Sequence, residues 1–443
     1  MQKMMKNKIS FRSLLSSAPL LFFTAGIIVR LILLAVFTGS NGTDALMATD
    51  SYSYLGETRK IISGGFLQSL PGLYSNFPNS HILYNIFLYP FVRFFHDPIF
   101  FVASVQCLFF CLIVVIFSDK IFSGFWSKAF FCFVMLFYPM VLRFNIMILT
   151  ESLFVTLLMG AVLLCVLGIR GNRFDYIIYA FFILFLCVLL RPATIGVVLI
   201  FATVVIVFLK NPKAATIALT AVVVSFYAAF VFPQHFIESK RASGSESSIV
   251  GTVLYKGYFW SKRGFSEEFF KKNRLSDFMY EFRQWDKRMK NKGLQPGLYI
   301  SEFIKDHFGE NLRLLYAKLK FFLTPKFLST KSLTAGAGDF GPYVTSFEKK
   351  IYGLAMNSVG IFYAMVLGLA AIGLMMWRKI EDKPLYILSL LIIIYYCGIH
   401  TVTVPSRRHT LQFYPLMSVF ATFGFLFFKY TFFPKLKSIL RRP

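Results

Sequence analysis

The chain is poor in cysteine, and the six it has, Cys107, Cys111, Cys132, Cys165, Cys187 and Cys397, all fall inside apolar runs with no metal-ligand spacing. They read as small core residues, which excludes a disulfide framework or a cysteine metal centre as the organising feature. Acid is scarce as well: 21 Asp and Glu stand against 47 Lys and Arg, a formal charge of +26. In a soluble chain that balance would point to nucleic acid. Here the basic residues cluster at the ends of apolar segments, where they set orientation, so no nucleic-acid partner is expected. No internal repeat or low-complexity tract is present. The glycines of TAGAGDFG (334–341) do not follow a strand, so no nucleotide-phosphate loop is read there.

What the chain does have is apolar length. Of its 443 residues 56% are hydrophobic and 18% aromatic, and runs of about 20 apolar residues recur, enough to cross roughly 30 Å of hydrocarbon. Such runs lie near 18–38, 98–117, 128–142, 150–169, 175–190, 193–209, 213–232, 351–377, 384–404 and 410–429. The first, preceded by Lys3, Lys6, Lys8 and Arg12, is too long for a signal peptide and lacks a convincing cleavage site, so it reads as a retained span. The expectation is an all-α, multi-pass membrane protein with about ten transmembrane helices.

The run 81–95, HILYNIFLYPFVRFF, is short, contains Pro90 and Arg93, and sets the parity of everything after it. If it stays on the outer side, Lys120 and Lys128, Arg170 and Arg173, Lys210 and Lys213, and Arg378, Lys379 and Lys383 share a side with the basic amino terminus. That arrangement puts both termini in the cytosol. It divides the chain into an amino-terminal membrane module (1–233) with a first outer loop (39–97), an outer helical domain (234–350), and carboxyl-terminal membrane helices (351–443). In the outer domain, helices are expected over 266–290 and 298–322. In the second, Ile300, Phe303, Ile304, Phe308, Leu312, Leu315 and Leu319 recur at helical spacing.

Chemistry-bearing residues gather at the outer ends of the runs. The stretch 48–65, ATDSYSYLGETRKIISGG, predicts an interfacial helix with Tyr54, Leu55, Ile61 and Ile62 on one side and Glu57, Arg59 and Lys60 on the other. It carries Asp50 at its start. Arg143 and Glu151, the latter in LTESLF, flank the second outer loop. Arg191 precedes Pro192, and Arg407 and Arg408 lie in SRRHTLQFYPL. Ionisable groups at membrane depth are costly and mark function when they cluster. Arg30, inside the first run, pairs either with backbone carbonyls or a carboxylate in the bundle core, or with a phosphate.

These features, in this order, resemble the GT-C glycosyltransferases. The resemblance rests on Asp50 with Tyr54 four places on and Gly64-Gly65 behind, the TE-x-LF string at Glu151, the Arg191-Pro192 step, and the basic last outer loop running into Tyr414-Pro415. It covers most of the chain and is strongest over 45–200. It implies a GT-C-like bundle with interfacial helices in the first outer loop. The implied enzyme is inverting and moves a sugar from a polyprenyl-phosphate donor to a glycolipid, glycan or protein acceptor, at the outer face of a bacterial inner membrane and in contact with membrane lipid. The resemblance makes Asp50 the base and Glu151 its catalytic companion. It gives Arg407, Arg408 and Arg191 the donor phosphate, and Tyr54, His81 and Arg143 substrate contacts. The chain departs from the family in having no second acid beside Asp50 and no Asp-x-Asp in the early outer loops. That favours the metal-independent branch: no cofactor is required, though a divalent cation is not barred. An O-antigen ligase or polymerase-like enzyme, or a lipid-linked sugar flippase without chemistry, are the competing readings.

The parity argument yields a labelling result. A cysteine placed at Ser247 should react from outside with a bulky impermeant thiol reagent, and one at Ser123 should not; the reverse pattern would invert the membrane orientation.

Overall fold

Inside hydrocarbon a backbone can satisfy its own N–H and C=O groups only as a helix or a closed barrel, and every regular element among the described residues is helical. The computed structural model describes residues 18–47, 49–65, 68, 81–228, 267–292, 296–323, 346–378, 380–402, 412–432 and 434. The helices are α1 (Ala18–Asn41), α2 (Thr49–Gly64), α3 (Ile82–Phe94), α4 (Pro98–Ile121), α5 (Phe125–Phe137), α6 (Pro139–Ile146), α7 (Thr150–Gly171), α8 (Phe174–Leu190), α9 (Ile195–Leu209) and α10 (Pro212–Phe226). They continue as α11 (Glu267–Lys272), α12 (Ser276–Asn291), α13 (Pro296–Asp306), α14 (Phe308–Leu323), α15 (Ser346–Met375), α16 (Lys383–Val402) and α17 (Tyr414–Phe427).

Five stretches are long and apolar enough to cross a membrane: Pro19–Gly39, Pro98–Ile121, Thr150–Gly171, Pro192–Leu209 and Lys383–Thr401. The pair α5 and α6, bent by 55°, makes a sixth if counted together. Shorter apolar helices cover Ile82–Phe94, Phe174–Leu190, Pro212–Phe226 and Gly360–Met375. The protein is therefore membrane-embedded. The bend in the pair has a local cause. Pro139 has no N–H to give and holds Tyr138 in an extended conformation (φ −63°, ψ 119°), which ends α5 and starts α6 in a new direction.

The chain forms two units. The first comprises 1–236, 326–392 and 414–443. Within it α7 runs from Glu151 in its first turn to Arg170 in its last. At that last turn Arg170 pairs with Asp382 and donates to the Lys120 carbonyl at 3.3 Å, while Asp119 holds Lys128 at 2.6 Å and Lys120 at 3.3 Å. Three of the basic residues grouped by the charge pattern, Lys120, Lys128 and Arg170, thus meet at the end of α7 opposite Glu151. In the same unit α15 and α17 touch backbone to backbone. A Cβ on Gly373 would run into the Phe420 carbonyl, and one on Gly424 into the Leu369 carbonyl, the small-residue contact that lets membrane helices approach closely.

The second unit, 237–325 with 393–413, departs from the sequence expectation in register. The helix read over 266–290 is two helices. The chain turns at Arg274, whose φ is 55°, and α12 restarts at Ser276. The helix read over 298–322 breaks at His307, between α13 and α14. Ile300 and Phe303 join Phe270, Phe278, Met279 and Phe282 in the core as expected. Beyond the break the buried face turns to Leu314 and Ala317, leaving Phe308 and Leu312 exposed.

The glycine contact gives a graded stability result. Gly424→Ala must push a backbone carbonyl aside and should lower the thermal unfolding temperature of the detergent-solubilised chain, costing about 1–3 kcal/mol as overpacking does. Gly368→Ala on α15 meets nothing within 4 Å and should be neutral. Equal unfolding temperatures for the two variants would remove the contact.

Candidate functional site

Three separate stretches meet around Tyr54. The first is α2, whose buried side carries Ser51, Tyr54, Leu55, Thr58 and Ile61 and whose exposed side carries Tyr52, Arg59 and Lys60. Ser51 fixes the start of this helix by donating to the Ile148 carbonyl at 2.6 Å. Glu57 corrects the sequence expectation: it does not face away with Arg59 and Lys60. Asn85 of α3 donates to its Oε2 at 2.8 Å. Burial raises the Glu57 pKa above the usual carboxylate range against the opposing pull of Asn85 and Lys60.

The second stretch is the start of α7. Glu151, 2% exposed, sits in the first helical turn, where unpaired backbone N–H groups favour a carboxylate. The third is the end of α8. Because Pro192 follows, Arg191 is driven to an extended backbone (φ −148°, ψ 103°), so its side chain leaves the helix instead of continuing it. Its Nη2 reaches Glu151 Oε1 at 2.8 Å and donates to Thr150 Oγ1 at 2.8 Å. Thr150 in turn donates to Glu151 Oε2 at 3.3 Å. The Arg191 Nε is buried and has no hydrogen-bond partner among the described residues.

Aromatic groups line the junction. Tyr54 meets His81 and Tyr84 edge to face, both at 5.1 Å between ring centres. Tyr84 donates to Gln106 Oε1 at 3.2 Å, and Gln106 donates to the Leu149 carbonyl, also at 3.2 Å. His81 places Nδ1 3.0 Å from the Leu190 carbonyl. A carbonyl can only accept, so Nδ1 carries the proton and Nε2 keeps its lone pair. The charges complete the picture. Burial first, then the carboxylates of Glu151 and Asp50, raise the Tyr54 pKa well above an ordinary tyrosine's, against Arg191 and a hydrogen bond to Thr150. Burial lowers the His81 pKa; Arg191 pulls the same way, while the Leu190 carbonyl, Glu151 and Asp50 oppose it. At neutral pH the junction therefore offers a neutral phenol and a neutral imidazole, with Asp50, Glu151 and Arg191 beside them.

The structure thus brings together five of the residues read from the sequence: Asp50, Tyr54, His81, Glu151 and Arg191. Arg143, in α6, lies with its guanidinium carbon 5.6 Å from the Phe144 ring centre, and is not among the charges acting on Tyr54 or His81. Arg407 and Arg408 lie outside the described residues. The motifs did not single out Asn85 or Gln106, for which the only available signal was a polar side chain inside an apolar run, and Thr150 entered only as the first letter of the TE-x-LF string. No group of three His, Cys, Asp or Glu with metal-binding geometry occurs among the described residues.

Because Glu151 and Arg191 are both largely buried, removing one strands the other. Glu151→Ala should destabilise the chain by about 3–5 kcal/mol, and the double variant Glu151→Leu, Arg191→Met should lose much less than the sum of its parts. Additive losses in unfolding measurements would show that the pair is not coupled.

No family model matches this chain and no curated protein matches it, so what the site does has to come from its own geometry.

Proposed function

We propose that the chain is an inverting glycosyltransferase of the GT-C type, with about ten spans, that moves a sugar from a polyprenyl-phosphate donor to an acceptor at the outer face of a bacterial inner membrane. The observation that supports this most is the meeting of Asp50, Glu151 and Arg191, which are far apart in the chain, around Tyr54 and His81. A purely structural bundle has no use for two carboxylates and a guanidinium beside a buried phenol.

The reaction needs few groups. Asp50 takes the proton of the acceptor hydroxyl as its oxygen bonds to the sugar's anomeric carbon, while the bond from that carbon to the phosphate oxygen breaks and the electron pair leaves with the phosphate. A guanidinium answers the charge that develops there, because its planar fork donates two hydrogen bonds at once. Arg191 fits that part: Nη2 is fixed by Glu151 and Thr150, so the group is oriented before any ligand arrives, and Nε has no other partner among the described residues. Arg407 and Arg408 are the further candidates for the same phosphate. Glu151 then acts mainly through Arg191, and Tyr54 and His81 contact the substrate.

Asp50→Asn keeps the shape and removes the base, so transfer from radiolabelled polyprenyl-phosphate sugars should fall by about 10² to 10⁴ with donor binding little changed. Asp44→Asn, at an exposed residue of the turn Thr43–Leu46, should be tolerated. Full transfer by Asp50→Asn would deprive the transferase reading of its catalytic group and leave a flippase as the better account.

A further inference from the structure

Glu57 lies on the α3 side of α2, where the amide of the fully buried Asn85 donates to its Oε2 at 2.8 Å. Tyr54 and His81 make the neighbouring contact at the same edge, ring against ring at 5.1 Å. The two contacts are three residues apart on α2 and four apart along the start of α3, about one helical turn. Two acceptor atoms stay open there. Glu57 Oε1 and His81 Nε2 have no hydrogen-bond partner among the described residues, and neither is one of the partnerless polar atoms shut away from solvent.

A latch between helices does not account for the carboxylate. Glutamine would accept from Asn85 through the same oxygen without the cost of drawing a charge partly out of water, and burial raises the Glu57 pKa accordingly. His81 carries a cost of its own. Its backbone is left-handed (φ 41°, ψ 53°), a conformation unfavourable for a residue with a Cβ, and strain of this kind gathers at ligand sites. The ring's bond to the Leu190 carbonyl at 3.0 Å occupies Nδ1 and leaves Nε2 as the open atom. A carboxylate and a lone-pair nitrogen accept hydrogen bonds, so their ligand has to bring donors. A phosphate is repelled beside a carboxylate, whereas hydroxyls are not. The guanidinium suited to a phosphate is close by, since Arg191 follows Leu190 and acts on the charge state of His81.

We propose that Glu57 Oε1 and His81 Nε2 form the subsite that accepts hydrogen bonds from the hydroxyls of the donor's sugar, with Asn85 as the positioning residue for Glu57. The inference rests on the transferase reading only in taking a polyprenyl-phosphate sugar as the ligand. The subsite would recognise that lipid whether or not the chain transfers its sugar.

Binding in the absence of an acceptor tests this, by native mass spectrometry of the full-length, delipidated chain. The probes are decaprenyl phosphate and the same lipid carrying mannose, glucose, galactose or arabinose. The wild-type chain should bind at least one sugar-bearing lipid about tenfold or more tighter than decaprenyl phosphate, the scale of a charge-assisted hydrogen bond. Glu57→Gln keeps the oxygen that Asn85 needs and turns the open one into an amide, so it should cut that preference about tenfold. His81→Asn keeps a donor for the Leu190 carbonyl, tolerates the left-handed backbone and lacks Nε2. It should cut the preference about threefold, as the loss of a neutral hydrogen bond does. Decaprenyl phosphate should bind both variants as it binds the wild type. A preference unchanged in either variant overturns the proposal, and so does equal wild-type affinity for all the lipids or a parallel loss of decaprenyl phosphate binding. Displacement of the preferred lipid by its free monosaccharide at equal concentration would make the site one for a soluble sugar and would overturn it too. Should the binding results hold while Asp50→Asn transfers as well as the wild type, the subsite stands and the transferase reading falls.

Discussion

A charge buried in the first membrane helix organises the apolar interior on which the candidate site stands. Taking a guanidinium out of water carries an effective penalty of several kcal/mol even after relaxation, so its hydrogen bonds have to be good, and their partners are held where those bonds require. Arg30 donates to the Leu136 carbonyl in the last turn before Pro139 breaks the helix, where the regular ladder cannot be completed. Its Nε fixes Asn145, and the Asn145 amide donates to Ser152 Oγ at 2.5 Å. Ser152 is the residue next to Glu151. A Cβ on Gly26 would come within 3.2 Å of the Leu136 side chain, so α1 approaches the bend closely at that glycine. Pro139 turns the chain into α6, and this one network ties α6 and the start of α7 to α1.

From that anchored start the geometry of the candidate site unfolds locally. Thr150 and Glu151 receive Arg191, Ser51 ties α2 to Ile148, and Tyr54 packs on His81 and Tyr84. A buried ion pair is a weak device for stability, since well-packed aliphatic side chains of similar volume often serve as well or better. Its presence where α2, α7 and α8 converge is thus better explained by what it orients than by what it stabilises. With Nη2 fixed, the guanidinium presents its remaining N–H groups in one direction, which a more mobile lysine would not do.

The placement of the helices was legible in the apolar runs, because twenty apolar residues leave a backbone in hydrocarbon only one unbranched way to satisfy itself. Legible too were residues that gather: Asp50, Tyr54, His81, Glu151 and Arg191 all stand beside or between the ends of apolar runs, but Arg143 stands there as well and is not among the charges acting on Tyr54 or His81. What pairs with what was not legible. Glu151 stands eight residues from Arg143 in the sequence and is paired with Arg191, forty residues away. Glu57 was assigned to the solvent side and is held by Asn85, since a helix lying on its neighbour buries a wider arc than its aliphatic residues mark. The outer helices were read as unbroken because neither Arg274 nor His307 is a glycine or proline, the usual punctuation. Arg274 adopts a left-handed backbone all the same, and the register of apolar residues after His307 shifts accordingly.

Helix length then decides how deep the junction lies. From the basic end marked by Arg170 and Asp382, α7 with its 22 residues rises about 33 Å at 1.5 Å per residue, and α8 with its 17 rises only about 26 Å. One therefore clears a hydrocarbon layer of about 30 Å and the other stops short of it. The turn that carries Arg191 comes at the end of the shorter helix, and α3, with 13 residues and Pro90 inside, is shorter still. Polar groups at the ends of such short helices sit where hydrocarbon gives way to head groups. On the proposed reading a lipid-borne phosphate would come to that level from the side and an acceptor hydroxyl from the water, and Arg191 and Asp50, both close enough to act on the Tyr54 phenol, would meet them there without either leaving its own phase.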